Sequence, residues 1–79
     1  MVKPALGYLD IVADISAAVD VPVAAYNVSG EYAMVEAASA HGWIDRDRAI
    51  REAVTSIHRA GADIVLTYWA AELARQPRS

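Results

Sequence analysis

Val21-Pro22-Val23-Ala24-Ala25-Tyr26-Asn27-Val28 is the stretch on which the fold turns. It is apolar, it contains β-branched and aromatic residues, and it shows no alternation of apolar with polar. A strand with one wet face would alternate. This one reads as a strand buried on both faces, as in parallel sheets covered by helices. Ser29-Gly30-Glu31 breaks the run, and Ser29 is a candidate N-cap for a helix from about Glu31 to Ala40. His41-Gly42 ends that helix, with Gly42 at a left-handed position. On the other side, Asp20 and Pro22 close a helix predicted over Tyr8 to Val19. Leu9, Val12, Ile15 and Val19 form its apolar face, with Asp10, Asp14 and Asp20 around it.

Further out the same grammar repeats. Asp45 can cap a helix from Arg46 to Ala60. Its apolar stripe is Ile50, Ala53, Val54 and Ile57, and Arg46, Arg48, Arg51 and Arg59 lie mostly off it. Gly61 stops that helix, and Ala62 to Thr67 is a further apolar run read as a strand. Tyr68 to Arg75 is a final short helix with Trp69 and Leu73 on its apolar side; Pro77 and the polar end are expected to fray. At the start, Met1-Val2-Lys3 is the stump of a buried strand that Pro4 must end, because proline cannot donate a ladder hydrogen bond. The order β-α-β-α-α-β-α predicts about three parallel strands with flanking helices in a single α/β unit over residues 1–79. Gly61-Ala62-Asp63 opens a strand that ends in polar Thr67-Tyr68, a faint echo of the stump that ends in Lys3. Three such strands leave an inner sheet face and both sheet edges uncovered. A complete β/α barrel takes about 250 residues. The expectation is therefore a portion of a barrel, or a chain that associates strongly.

Composition narrows the function. The 79 residues are 56% hydrophobic and carry a net charge of -3, so there is no basic footprint for nucleic acid. The chain has no cysteine, which excludes disulfides and thiolate metal sites within it. The apolar runs are too short to span a bilayer, and nothing at the N-terminus resembles a signal peptide, so the expected compartment is the cytoplasm.

Three predicted strand ends each present a polar group, which is how a β/α barrel builds an active site. Lys3 is the sole lysine. A lysine with the ordinary pKa of about 10.4 is protonated at neutral pH. Desolvation or a neighbouring cation frees the amine to attack a carbonyl as a Schiff base. Read alone, a lysine near a chain terminus is more often simply solvated. Ser29 and Tyr68 offer hydroxyl donors suited to a carboxylate; the plainer readings are a helix cap and a half-buried aromatic. Tyr26 reads as a core or pocket-wall aromatic. His41 and His58 have no metal-ligand partners at suitable spacing and read as surface residues. Asp45 to Arg51 reads as a solvated helix face, and Trp43 and Trp69 as packing residues.

The longer motifs are more specific. Met1-Val2-Lys3-Pro4-Ala5-Leu6-Gly7-Tyr8-Leu9-Asp10 resembles the active-site lysine signature of the porphobilinogen synthase family, also called delta-aminolevulinic acid dehydratase. Pro22 to Met34, with Tyr26-Asn27-Val28-Ser29-Gly30-Glu31 at its centre, resembles that family's second long motif. Arg59-Ala60-Gly61-Ala62-Asp63-Ile64-Val65-Leu66-Thr67-Tyr68 resembles its third. The three occur in the right order and span essentially the whole chain. Gly7 stands where many relatives have proline.

The resemblance implies the C-terminal portion of a (β/α)8 TIM barrel, from an enzyme that condenses two molecules of 5-aminolevulinate into porphobilinogen in heme and tetrapyrrole biosynthesis. It implies that Lys3 forms the Schiff base in the P site, that Ser29 and Tyr68 hold that substrate's carboxylate, and that Tyr26 lines the pocket. The family's A-site lysine, the basic residues of the A site, any cysteine cluster for zinc and the arm of its homo-octamer lie upstream. No cofactor is therefore expected on this chain itself, although zinc or magnesium is expected for the intact family enzyme. The chain alone is expected to lack full activity. Two other readings compete: another class I Schiff-base aldolase barrel, and a non-enzymatic α/β module that self-associates through its exposed strand face.

Overall fold

The computed structural model describes residues 1–75; the expected fraying at Pro77 lies outside them. A short 3-10 turn, Leu6–Tyr8, leads into helix α1, Leu9–Ala18. Strand β1 is Ala24–Asn27, followed by helices α2, Ser29–Ala40, and α3, Arg46–Ala60. Strand β2 is Ile64–Thr67, and helix α4 is Ala70–Arg75. The two strands run parallel, with Ala24 opposite Ile64 and Asn27 opposite Thr67. The expected first strand is reduced to one parallel bridge between Val2 and Ala25. Val2 N–H donates to the Ala24 carbonyl and Tyr26 N–H to the Val2 carbonyl, at 2.9 and 2.8 Å. Pro4 then ends the pairing, because it has no N–H to continue the ladder.

Helix boundaries follow local chemistry. The Asp45 carboxylate accepts from Arg48 N–H and caps α3 as expected. His58 and Arg59 sit in its last turn, where cations oppose the helix dipole. Gly61, at φ 126°, ends it. A Cβ on Gly61 would come within 2.6 Å of the Ser16 side chain, so α1 and the end of α3 meet where only glycine fits. Gly42, at φ 73°, follows α2 as its left-handed stop. The cap of α2 differs from expectation. The helix starts two residues earlier, Ser29 is its first helical residue, and Val28 occupies the cap position without a side-chain bond.

The core lies between the sheet and the helices. Val2, Ala5, Val12, Ala25, Ile57 and Ala62 form one buried cluster, with Leu9 and Val65 packed against it. Burying an Ile57-sized side chain stabilises by roughly 1.5–3 kcal/mol. Trp69 and Ile50 are also fully buried. Asp63 fastens the two strand starts together: its carboxylate accepts from Val23 N–H at 2.8 Å, while its own N–H donates to the Val23 carbonyl at 2.8 Å.

Three expectations are corrected. The strands are not buried on both faces. In β1, Ala25 and Asn27 are buried while Ala24 and Tyr26 are partly exposed; in β2, Ile64 and Leu66 are exposed. Helices cover one face only, so the other stays open, as the short length led one to expect. Likewise Ile15 and Val19, placed on the apolar face of α1, are exposed at 37% and 38%. Trp43 does not pack into the core: it is 74% exposed and stacks on His41 at 4.7 Å.

Candidate active site at the strand ends

The strand ends gather the polar groups singled out from the sequence. Pairing of Val2 with Ala25 puts Lys3 in register with Tyr26, which is opposite Leu66. Side chains alternate between faces along a strand, so Tyr26 and Leu66 belong to the open face, while Lys3 lies in the bend that follows the bridge. Tyr68 follows two residues after Leu66. The Tyr26 and Tyr68 hydroxyls are 3.1 Å apart and hydrogen-bonded. That bond, with lesser contributions from burial and from Tyr68's charge, holds the Tyr26 phenol above its ordinary pKa. Tyr26, Leu66, Thr67 and Tyr68 line a cavity of about 310 Å³ on this face.

Tyr68 is 56% exposed and depends on neighbours for its place. Its ring lies 5.3 Å from that of Tyr32 in α2, and Tyr32 in turn lies 5.3 Å from buried Trp69. Beneath the open face, the Asn27 amide donates to the Thr67 hydroxyl at 3.3 Å, joining the last residues of β1 and β2.

Lys3 is exposed and makes no ion pair among the described residues. The desolvated pocket expected around its amine is not formed by these residues, because nothing among them covers the open face. Ser29 is exposed at the first position of α2, and its hydroxyl makes no hydrogen bond among the described residues. The structure therefore brings Tyr26 and Tyr68 into contact, and the Lys3 segment is tied to the sheet through the bridge of Val2 with Ala25. Ser29 follows two residues after β1, and no hydrogen bond joins it to the other three.

Glu31 was not singled out from the sequence. It is buried at 6% exposure, and its Oε2 accepts from the N–H groups of Leu6 and Gly7 at 2.9 and 3.2 Å. A carboxylate in the first turn of a helix is ordinary, so its identity alone carried no signal. Tyr32 was missed as well, because an aromatic near the start of a helix reads as generic packing. On the far side, Arg46 of α3 donates to Glu36 of α2 and Glu72 of α4, each at 2.7 Å. Glu72 first, then Glu36, holds its guanidinium above an already high ordinary value. Among the described residues, no group of three or more His, Cys, Asp or Glu comes together that could hold a metal ion. The residues present thus do not fit a zinc or magnesium site. No described helix is long and apolar enough to cross a membrane.

Comparison with known proteins agrees with the motifs. The family model described as delta-aminolevulinic acid dehydratase matches residues 1–76. The delta-aminolevulinic acid dehydratase of Streptomyces coelicolor is 65% identical over 78 residues, which is 99% of this chain and 24% of that protein. The Mycobacterium leprae protein of the same name is 64% identical over 74 residues, 94% of this chain and 22% of the relative. The chain therefore spans about a quarter of the length of these relatives. A crystal structure of delta-aminolevulinic acid dehydratase (porphobilinogen synthase) from Toxoplasma gondii, in complex with the reaction product porphobilinogen, overlays with a TM-score of 0.93. The identity is 49%, and the overlay covers 95% of this chain and 21% of that one. The described strands and helices are a portion of that barrel fold, and the chain belongs to the delta-aminolevulinic acid dehydratase family.

Proposed function

We propose that this chain carries the P-site half of a porphobilinogen synthase active site, in which Lys3 binds 5-aminolevulinate as a Schiff base. The observation that carries the reading is the hydrogen-bonded pair of Tyr26 and Tyr68 hydroxyls at the strand ends, on the sheet to which the Lys3 segment is bridged at Val2. The neutral amine of Lys3 adds to the ketone carbon, and the carbinolamine then takes a proton from solvent and loses its oxygen as water to leave an iminium. That iminium draws electrons from the adjacent carbon and prepares it for condensation. Ser29 and Tyr68 donate hydrogen bonds to the carboxylate at the far end, and Tyr26 orients the Tyr68 hydroxyl. Holding the substrate at both ends turns a loose encounter into a positioned one.

Full dehydrating condensation needs a second 5-aminolevulinate, for which the described residues provide no second lysine. The parent activity thus belongs to a longer assembly with the upstream barrel, in a cytoplasmic homo-oligomer. Zinc or magnesium, where the family uses it, would be held by residues outside this set, and no step above runs through a metal.

The test is reductive trapping. Incubation with 5-aminolevulinate and borohydride should give a substrate-dependent adduct, located on Lys3 by mass spectrometry and absent in Lys3→Ala. An adduct that forms equally on Lys3→Ala, or no adduct at all, would defeat the reading.

A further inference from the structure

We propose that Glu31 is a positioning residue that sets the separation between Lys3 and Ser29, and so makes the site select ketones with a carboxylate at the far end. The inference rests on the reading of Lys3 and Ser29 above and adds the element that couples them.

Lys3 and Ser29 belong to different segments. The chain after Lys3 leaves the sheet at Ala5, whose N–H still donates to the Tyr26 carbonyl at 2.9 Å. Beyond it, Leu6 and Gly7 begin a 3-10 turn whose cap residue, Ala5, has no side chain able to accept from the turn's free N–H groups. Glu31 supplies the acceptor from a distance. One oxygen, Oε2, takes both N–H groups, from residues 25 and 24 positions away. Leu6 is three residues past Lys3, and Glu31 is two residues past Ser29. This one side chain therefore clamps the lysine segment to the first turn of α2, where Ser29 sits.

Its other oxygen, Oε1, is buried and has no partner among the described residues. An unpaired buried acceptor costs stability.

A γ-keto acid, with two methylenes between its carbonyl carbon and its carboxylate, spans only a narrow range of distances. Lys3 and Ser29 can serve both ends only if their separation matches that span. A ketone without the carboxylate needs Lys3 alone. Loosening the clamp should therefore harm the acid and spare the plain ketone.

The experiment is a competition on the intact chain. Equal amounts of levulinate (the substrate without its amino group) and methyl propyl ketone are offered with cyanoborohydride. The ratio of the two adducts on Lys3 is read by mass spectrometry. Unfolded chains would react without preference and lower the ratio by themselves, so variants are compared only where circular dichroism shows them as folded as wild type. Wild type should favour levulinate. Glu31→Gln, whose amide oxygen can accept both N–H groups, should keep that preference. Glu31→Ala and Glu31→Asp, which lose the acceptor or its reach, should lower the ratio by roughly tenfold. Removing a negative charge would by itself favour the anionic ketone, so a fall in Glu31→Ala runs against simple electrostatics. If Glu31→Ala does not fold by circular dichroism, Glu31→Asp decides. A Lys3 adduct with unchanged ratios in these variants overturns the clamp and leaves the Lys3 reading intact. No Lys3 adduct with either ketone in wild type overturns both.

Discussion

The two faces of the small sheet are made from the same strands and have opposite characters. On the helix side, Val2, Ala25, Ile57 and Ala62 close into a core from which water is excluded. On the other side, Tyr26, Ile64, Leu66 and Tyr68 stand partly or largely in water. The covered face is where the chain's stability resides. The open face carries the hydrogen-bonded hydroxyls of Tyr26 and Tyr68. Catalytic groups on a β/α sheet sit on strand ends because the helix-packed scaffold beneath holds them still.

The sharpest way to break this contrast is to hollow out the covered face. Ile57→Ala should cost about 2–5 kcal/mol, read from the urea midpoint, because it leaves a cavity at a fully buried position. A loss well under about 1 kcal/mol would mean that the helix-side cluster is not the core.

A smaller effect is expected at the rim. Arg46 holds Glu72 below the usual carboxylate range, chiefly through their hydrogen bond. Glu72 binds its proton less readily folded than unfolded. The pair's contribution is therefore present above the ordinary carboxylate pKa and fades as pH falls through the lowered one. Thermal melts of wild type and Arg46→Ala should differ at neutral pH and converge in acid; a difference that persists below that range would assign Arg46's effect to packing. The contribution is modest, because all three side chains are about one-third exposed and solvent screens them.

The smallest effect is expected on the open face. Leu66→Thr should change stability by no more than about 0.5 kcal/mol, since Leu66 is 43% exposed and threonine suits a strand. A large loss that also depended on protein concentration would show that a second copy covers this face in solution.

Much of the architecture was legible along the chain. Asp45, Gly42 and Gly61 punctuate α2 and α3 as their chemistry requires, and α3 runs from Arg46 to Ala60 as its stripe predicts. Two parallel strands appear within the runs read as strands, although each is four residues long. Lys3, Tyr26, Ser29 and Tyr68 were singled out through motifs rather than through periodicity, and among them the structure joins Tyr26 to Tyr68 by a hydrogen bond. Ser29 shows the limit: as a residue type it reads as a cap, yet the helix takes it in and leaves Val28 at the cap. Glu31 shows the complementary limit, because its bonds cross 24 and 25 residues and no local pattern encodes them.

The sequence by itself determined the order of elements, their stops and the family, because caps, glycines and apolar spacing act over a few residues. Only the tertiary structure decided which sheet face is covered, that Tyr68 answers to Tyr26 and Tyr32, and that Glu31 joins the Lys3 segment to α2. Those outcomes depend on the parallel register and on how the helices pack across it, and distance in space is not written in distance along the chain.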